Sequence, residues 1–188
     1  MIAVLPFFLS VVFAGSVFAK DADVGKLKTP EIVWKDPKGK ILENIPERKS
    51  KNGFGGWIIL TDDLNWEKEW NTHSGYMPKL RQVTEMKRGK ITELLITFSN
   101  PKADSNSNST IKTDVVIVKP DGKVDIIQTN NHCFSGKAPK NRGIAMCESA
   151  VTFITDDTDP LGTWKFEVLL KDVVGGTILD LSTSFKIK

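Results

Sequence analysis

The sequence predicts a mainly β protein: an immunoglobulin-like β-sandwich of about seven strands, preceded by a β-hairpin and a short helix. Three observations predict it. Apolar and polar residues alternate with period two through most of the chain after Leu80, which turns one face of a strand to a core and the other to water. Turn signals separate the runs: Lys87-Arg88-Gly89, Pro120-Asp121-Gly122, Asp159-Pro160-Leu161-Gly162 and Gly175-Gly176. The chain has 188 residues, 40% hydrophobic and 26% charged, which suits one ordinary domain and excludes a disordered or coiled-coil composition.

Residues 1–19, MIAVLPFFLSVVFAGSVFA, carry no charged side chain and end in Val17-Phe18-Ala19 before Lys20-Asp21. Small residues at the end of an apolar run read as a secretory signal peptide cleaved after Ala19. Pro6 and Gly15 interrupt the run, which argues against a spanning helix of ~20 apolar residues. The mature chain is therefore expected in the periplasm or secreted, with no stable membrane span.

Residues 20–75 read as an extension that packs on a sandwich over 76–188. Segments 31–34 and 40–43 flank Asp36-Pro37-Lys38-Gly39 as a small hairpin. FGGWIIL at 54–60 is a continuous apolar run, expected as a strand covered on both faces. Thr61-Asp62-Asp63 offers an N-cap for a helix through about Trp70, on which Trp66 and Trp70 share a face. The seven sandwich strands are expected at 80–86, 91–99, 111–119, 123–129, 150–155, 163–171 and 177–187. The polar stretch 99–110 reads as a loop and contains the sequon Asn108-Ser109-Thr110.

Cys133 and Cys147 are the only cysteines, and in an oxidising compartment an even pair predicts a disulfide. The spacing places it on a loop near the fourth and fifth strands, not between the sheets. With two cysteines, two histidines and no CxxC or HxxxH spacing, no metal site and no cofactor are expected. The net charge of +3 resides in residues 20–51, whereas 52–188 balance at seventeen of each sign. That bias is too small for nucleic acid, which is not expected as a partner.

VVIVKPDGKV, AVTFITDDTDPLGTWKFEVLLKD and GTILDLSTSFKI, together with FGGWIILTDDLNWEKEWNT, resemble the layout of exported immunoglobulin-like and macroglobulin-type domains. The chain is similar to uncharacterised small periplasmic proteins of Gram-negative bacteria with such a β-sandwich. The resemblance implies architecture over most of residues 54–188. The Cys-Gln thioester motif of the macroglobulin proteins is missing, so it implies no trapping chemistry and no catalytic residue.

Four sets of residues are candidates for function. Trp34, Trp66 and Trp70 would stack on sugar rings or anchor a partner if exposed, against a reading in which the hairpin and helix use them to seal the sandwich, which the shared helix stripe favours for Trp66 and Trp70. Lys137, Lys140 and Arg142 form a basic loop suited to an anionic glycan, a lipid head group or an acidic partner surface. Asp156, Asp157 and Asp159 are a weak calcium candidate, against a turn in which Asp side chains bond the backbone. His73 and His132 are the sole imidazoles, and no GxSxG accompanies them. The leading expectation is an exported non-enzymatic binding or accessory protein. It would recognise an envelope protein or glycan through loops or a sheet edge. A carbohydrate module using Trp, or a hydrolase using a loop carboxylate such as Asp157, are the alternatives.

Overall fold

The computed structural model describes residues 34–36, 38–72, 78–139 and 143–188. The expected signal segment 1–19 and residues 31–33 of the expected hairpin lie outside the described residues. Two five-stranded sheets face each other, so the predicted mainly β sandwich is present. The strands are β1 (Arg48–Lys51), β2 (Phe54–Thr61), β3 (Glu85–Met86), β4 (Ile91–Ser99), β5 (Asn108–Val118), β6 (Val124–Lys137), β7 (Ile144–Met146), β8 (Val151–Ile154), β9 (Gly162–Asp172) and β10 (Thr177–Ile187), and the one helix, α1 (Trp66–Thr72), follows β2. The first sheet runs β1-β2-β4-β7, with β8 also on β4; the second runs β3-β10-β9-β5-β6.

Alternation decides the core. In β9, Trp164, Phe166, Val168 and Leu170 point inward, and in β10 Leu179, Leu181, Thr183, Phe185 and Ile187 do so. They meet Phe54, Ile58, Leu60, Leu94, Ile96 and Phe98 from β2 and β4. Gly56 permits that meeting: a Cβ there would sit 2.7 Å from Leu170 Cδ2 and 3.0 Å from a Cδ1 of Leu179 and of Leu181. The Pro-x-Gly-x-Trp corner closes one end. Trp164 donates its ring N–H to the Pro160 carbonyl at 2.9 Å, and Gly162, at φ +129°, leaves room for Pro120.

Several expectations change. Residues 54–61 are not part of an extension: β2 pairs with β4 from Gly55↔Ser99 to Thr61↔Glu93 and is a strand of the sandwich itself. β1 joins β2 through Asn52-Gly53, both at positive φ, the conformation a two-residue hairpin demands. The strand expected at 80–86 shrinks to the two residues of β3, which pair parallel to the end of β10. The stretch 99–110 begins on the last residue of β4, Ser99, is a loop over 100–107 and is a strand from Asn108. β6 runs eight residues further than expected, to Lys137.

The disulfide between Cys133 and Cys147 is formed, with Cα atoms 4.4 Å apart. Its placement corrects the expectation. Cys133 lies in β6 of the second sheet, and Cys147 directly follows β7 of the first, donating its N–H to Ile96 in β4. The bridge therefore pins the crossover between sheets. The physical reason is that β6 extends past the expected loop and carries Cys133 to the facing sheet. The other flank is closed by the chain around Pro46, whose carbonyl accepts from Ser182 in β10 while Glu47 accepts from Ile58 in β2.

Candidate functional site

A sandwich has four sheet faces, and two of them form the main core. The outer face of the first sheet is covered over most of its length. Ile59 and Leu95 point outward there and pack with Trp66, Trp57, Trp70, Leu80, Met146 and Ala150 in a second, smaller core beneath α1. Asp63 opens that helix, its carboxylate accepting from the Asn65 N–H at 3.0 Å and its carbonyl from the Trp66 N–H at 3.2 Å. Further along the same face, the expected hairpin lays Trp34 over Gly55, where a Cβ would sit 3.1 Å from the indole ring. Trp34 also donates to the Lys49 carbonyl at 3.0 Å and meets Trp57 edge-on at 5.9 Å.

Of the two readings of the tryptophans, the core one holds for Trp34 and Trp66. Trp34 is 5% exposed and Trp66 9% exposed. Trp70 is half-buried against the small core. A stacking platform needs an open ring face, and Trp34 and Trp66 spend theirs on the outer face of the first sheet.

The other candidates separate likewise. Lys137 donates to the Asn106 carbonyl at 2.7 Å and holds the 104–108 loop; Lys140 and Arg142 lie outside the described residues. The Asp156 carboxylate accepts from the Thr158 N–H and hydroxyl, and Asp159 accepts from the Asp156 N–H at 2.9 Å. The hydroxyl bond from Thr158 holds the Asp156 carboxyl below the usual carboxylate range. These acids close a turn, and among the described residues no group of three acids, histidines or cysteines could hold a metal ion. At the calcium candidate Asp156, Asp157 and Asp159, one carboxylate oxygen of Asp156 and one of Asp159 are bonded within the turn, as the turn alternative expects. His132 faces Glu148 at 3.2 Å beside the disulfide, and His73 lies outside the described residues.

Among the described residues, the outer face of the second sheet is the open one. It presents the polar half of each alternation. A groove of about 440 Å³ runs across it. Val116, Leu169 and Ile126 line its apolar part, and Ile126 is 71% exposed. Three ion pairs stand around it: Lys49 with Asp180 at 3.0 Å, Lys171 with Asp114 at 2.6 Å and Lys165 with Glu167 at 2.6 Å. Lys171, then the Asn130 N–H, holds the Asp114 carboxyl below its usual range, and Lys49 does the same for Asp180. Both groups stay ionised and paired near neutrality, so the groove is locally charge-balanced.

β6 bounds this face. Among the described residues it pairs with β5 alone from Val124 to Asn131, until Cys133 accepts from the Glu148 N–H at 2.8 Å. Val124 and Ile126 lie opposite Val118 and Val116 and share their outer face. The alternation in 111–119 and 123–129 made this face legible. The registers that bring Asp114 and Asp180 to either side of Leu169 were not.

A second concavity, of about 620 Å³, lies at the end of the first sheet beyond α1 and is lined by Asp62, Leu64, the β3–β4 turn and Lys188. No helix among the described residues is long and apolar enough to cross a membrane.

No family model matches the chain, and no curated protein matches it. Two solved structures show partial likeness. A Pseudomonas fluorescens alkylpurine DNA glycosylase, bound to DNA containing an abasic site analog, aligns over 56% of this chain and 27% of its own, at 16% identity and TM-score 0.38. A family 123 glycoside hydrolase from Clostridium perfringens aligns over 71% of this chain and 27% of its own, at 9% identity and TM-score 0.42. The chain thus spans about a quarter of the length of either protein. At those scores neither activity transfers. The class is thus a disulfide-pinned, two-sheet β protein in which, among the described residues, one sheet face is left open.

Proposed function

We propose that this is an exported, non-enzymatic binding or accessory protein of the cell envelope that takes a partner on the outer face of its second sheet, along the β6 edge. One observation carries the reading. Among the described residues, three of the four sheet faces are covered wholly or in large part, and the remaining one holds a groove with exposed Ile126 and Leu169 inside a frame of paired charges. An apolar patch within a polar rim is the anatomy of a protein-recognition surface, and an edge strand adds backbone groups for an extended segment. The disulfide supports residence in an oxidising compartment.

The test is affinity capture from envelope extracts with the mature protein, followed by single substitutions. Ile126→Lys or Leu169→Lys should release the captured partner, and Ile154→Lys, on the first sheet, should not. Equal retention by all three variants would count against this face. Turnover of an ester, glycoside or peptide by the purified protein, lost on substitution of Asp157 or His132, would favour the enzyme reading instead.

A further inference from the structure

The concavity at the end of the first sheet has a composition unlike the groove. Its volume of about 620 Å³ falls within the range of small-molecule sites, ~300–1,000 Å³. Leu64, Met86 and Ile91 supply apolar wall. Leu64 is 54% and Ile91 39% exposed, so two large apolar side chains face this space with little protein over them. Its two acids are already matched: Arg81 lies 3.2 Å from Asp62, and Lys188 bonds Glu85. Lys87 and Lys90 also line the space, and among the described residues neither has an ion-pair partner. Both flank Gly89, whose φ of +75° makes the turn. That turn is fixed, because the Gly89 N–H donates to the Thr155 carbonyl at 3.0 Å and approaches its hydroxyl at 3.1 Å.

We infer that this concavity binds an amphipathic anion: one acidic head held between Lys87 and Lys90, with an apolar chain against Leu64, Met86 and Ile91. Two uncompensated cations next to apolar wall disfavour a purely apolar guest, which would leave the ammonium groups without a counter-ion. They also disfavour a small hydrophilic anion, which would leave the apolar wall wet. Matching both halves requires a head and a tail in one molecule. The site is separate from the open face of the second sheet, so either assignment can fail without the other.

Decanoate below its micelle concentration is the probe, titrated calorimetrically into the mature protein, with octyl glucoside and inorganic phosphate as the tail-only and head-only comparisons. Decanoate should bind saturably at one site and more tightly than either. It should weaken about tenfold in the Lys87→Ala, Lys90→Ala double variant, and in Leu64→Ser, with no change in Lys137→Ala. Amide shifts in ¹⁵N spectra should centre on residues 87–91. Non-saturable binding, equal affinity for either comparison compound, or undiminished affinity in the double lysine variant would overturn the assignment. The lysines and Leu64 are exposed, so thermal melts of the variants should match the parent.

Discussion

Replacing Gly56 by alanine tests how tightly the two sheets interlock. Two effects of the change favour folding. Alanine narrows the unfolded ensemble, worth ~0.4–1 kcal/mol at a compatible backbone position, and Gly56 is not among the positive-φ glycines. The added methyl also buries apolar surface, ~0.8 kcal/mol. Against them stands geometry. The new Cβ would lie 2.7 Å from Leu170, 3.0 Å from Leu179 and 3.0 Å from Leu181, closer than carbon atoms pack. Those leucines are 0%, 2% and 2% exposed, so relieving one contact drives a terminal methyl into filled space. Overpacking of this kind costs ~1–3 kcal/mol, and three simultaneous contacts place Gly56→Ala at the upper end. The net expectation is destabilisation by about 1–2 kcal/mol. Urea unfolding followed by tryptophan fluorescence reads it as a lower midpoint at constant slope. An unchanged or raised midpoint would refute the reasoning, since the leucines would then have room.

Further predictions rest on other contacts. Cys133→Ser with Cys147→Ser should lower stability by about 3 kcal/mol, the chain-entropy value for a loop of this length, and should speed hydrogen exchange in β7 before β9. Trp34→Ala should cost about 3 kcal/mol, as a buried tryptophan does, and should leave partner capture by the second sheet intact; loss of glycan binding with normal stability would restore the platform reading. The folded-state carboxyls of Asp114 and Asp180 lie below their unfolded values, so their pairing stabilises fully above the ordinary Asp pKa of ~3.9 and is lost as pH falls through the lower folded values. Asp114→Asn should lower stability above about pH 4, where the pairing is fully present, and converge on the parent as pH falls, which flattens the acid limb.

Strands with strict alternation were legible from sequence almost to the residue. The expected 177–187 coincides with β10, which has one face in the core and Gly175-Gly176 at its border, and 91–99 coincides with β4, whose other face is covered as well, beneath α1. β1 was missed although Asn52-Gly53 is a strong hairpin signal, because Arg48–Lys51 has no apolar residue to alternate. β6 was cut short because its exposed face and edge leave little apolar pattern beyond Gln128. That error carried the disulfide to a loop. The tryptophans were ambiguous for a different reason. Whether an indole is core or platform depends on what lies across from it, and Gly55 opposite Trp34 is a tertiary fact. The groove is tertiary too, since Asp180, Leu169 and Asp114 meet through registers among three strands.

Residue-resolved photo-crosslinking in the native envelope tests the central claim most directly. A crosslinker placed in turn at Val116, Ile126 and Leu169, and at Ile91, Thr152 and Ile154 on the outer side of the first sheet, should give a common adduct from the first three positions alone. The same adduct from the first-sheet positions, with none from Ile126 or Leu169, would contradict it.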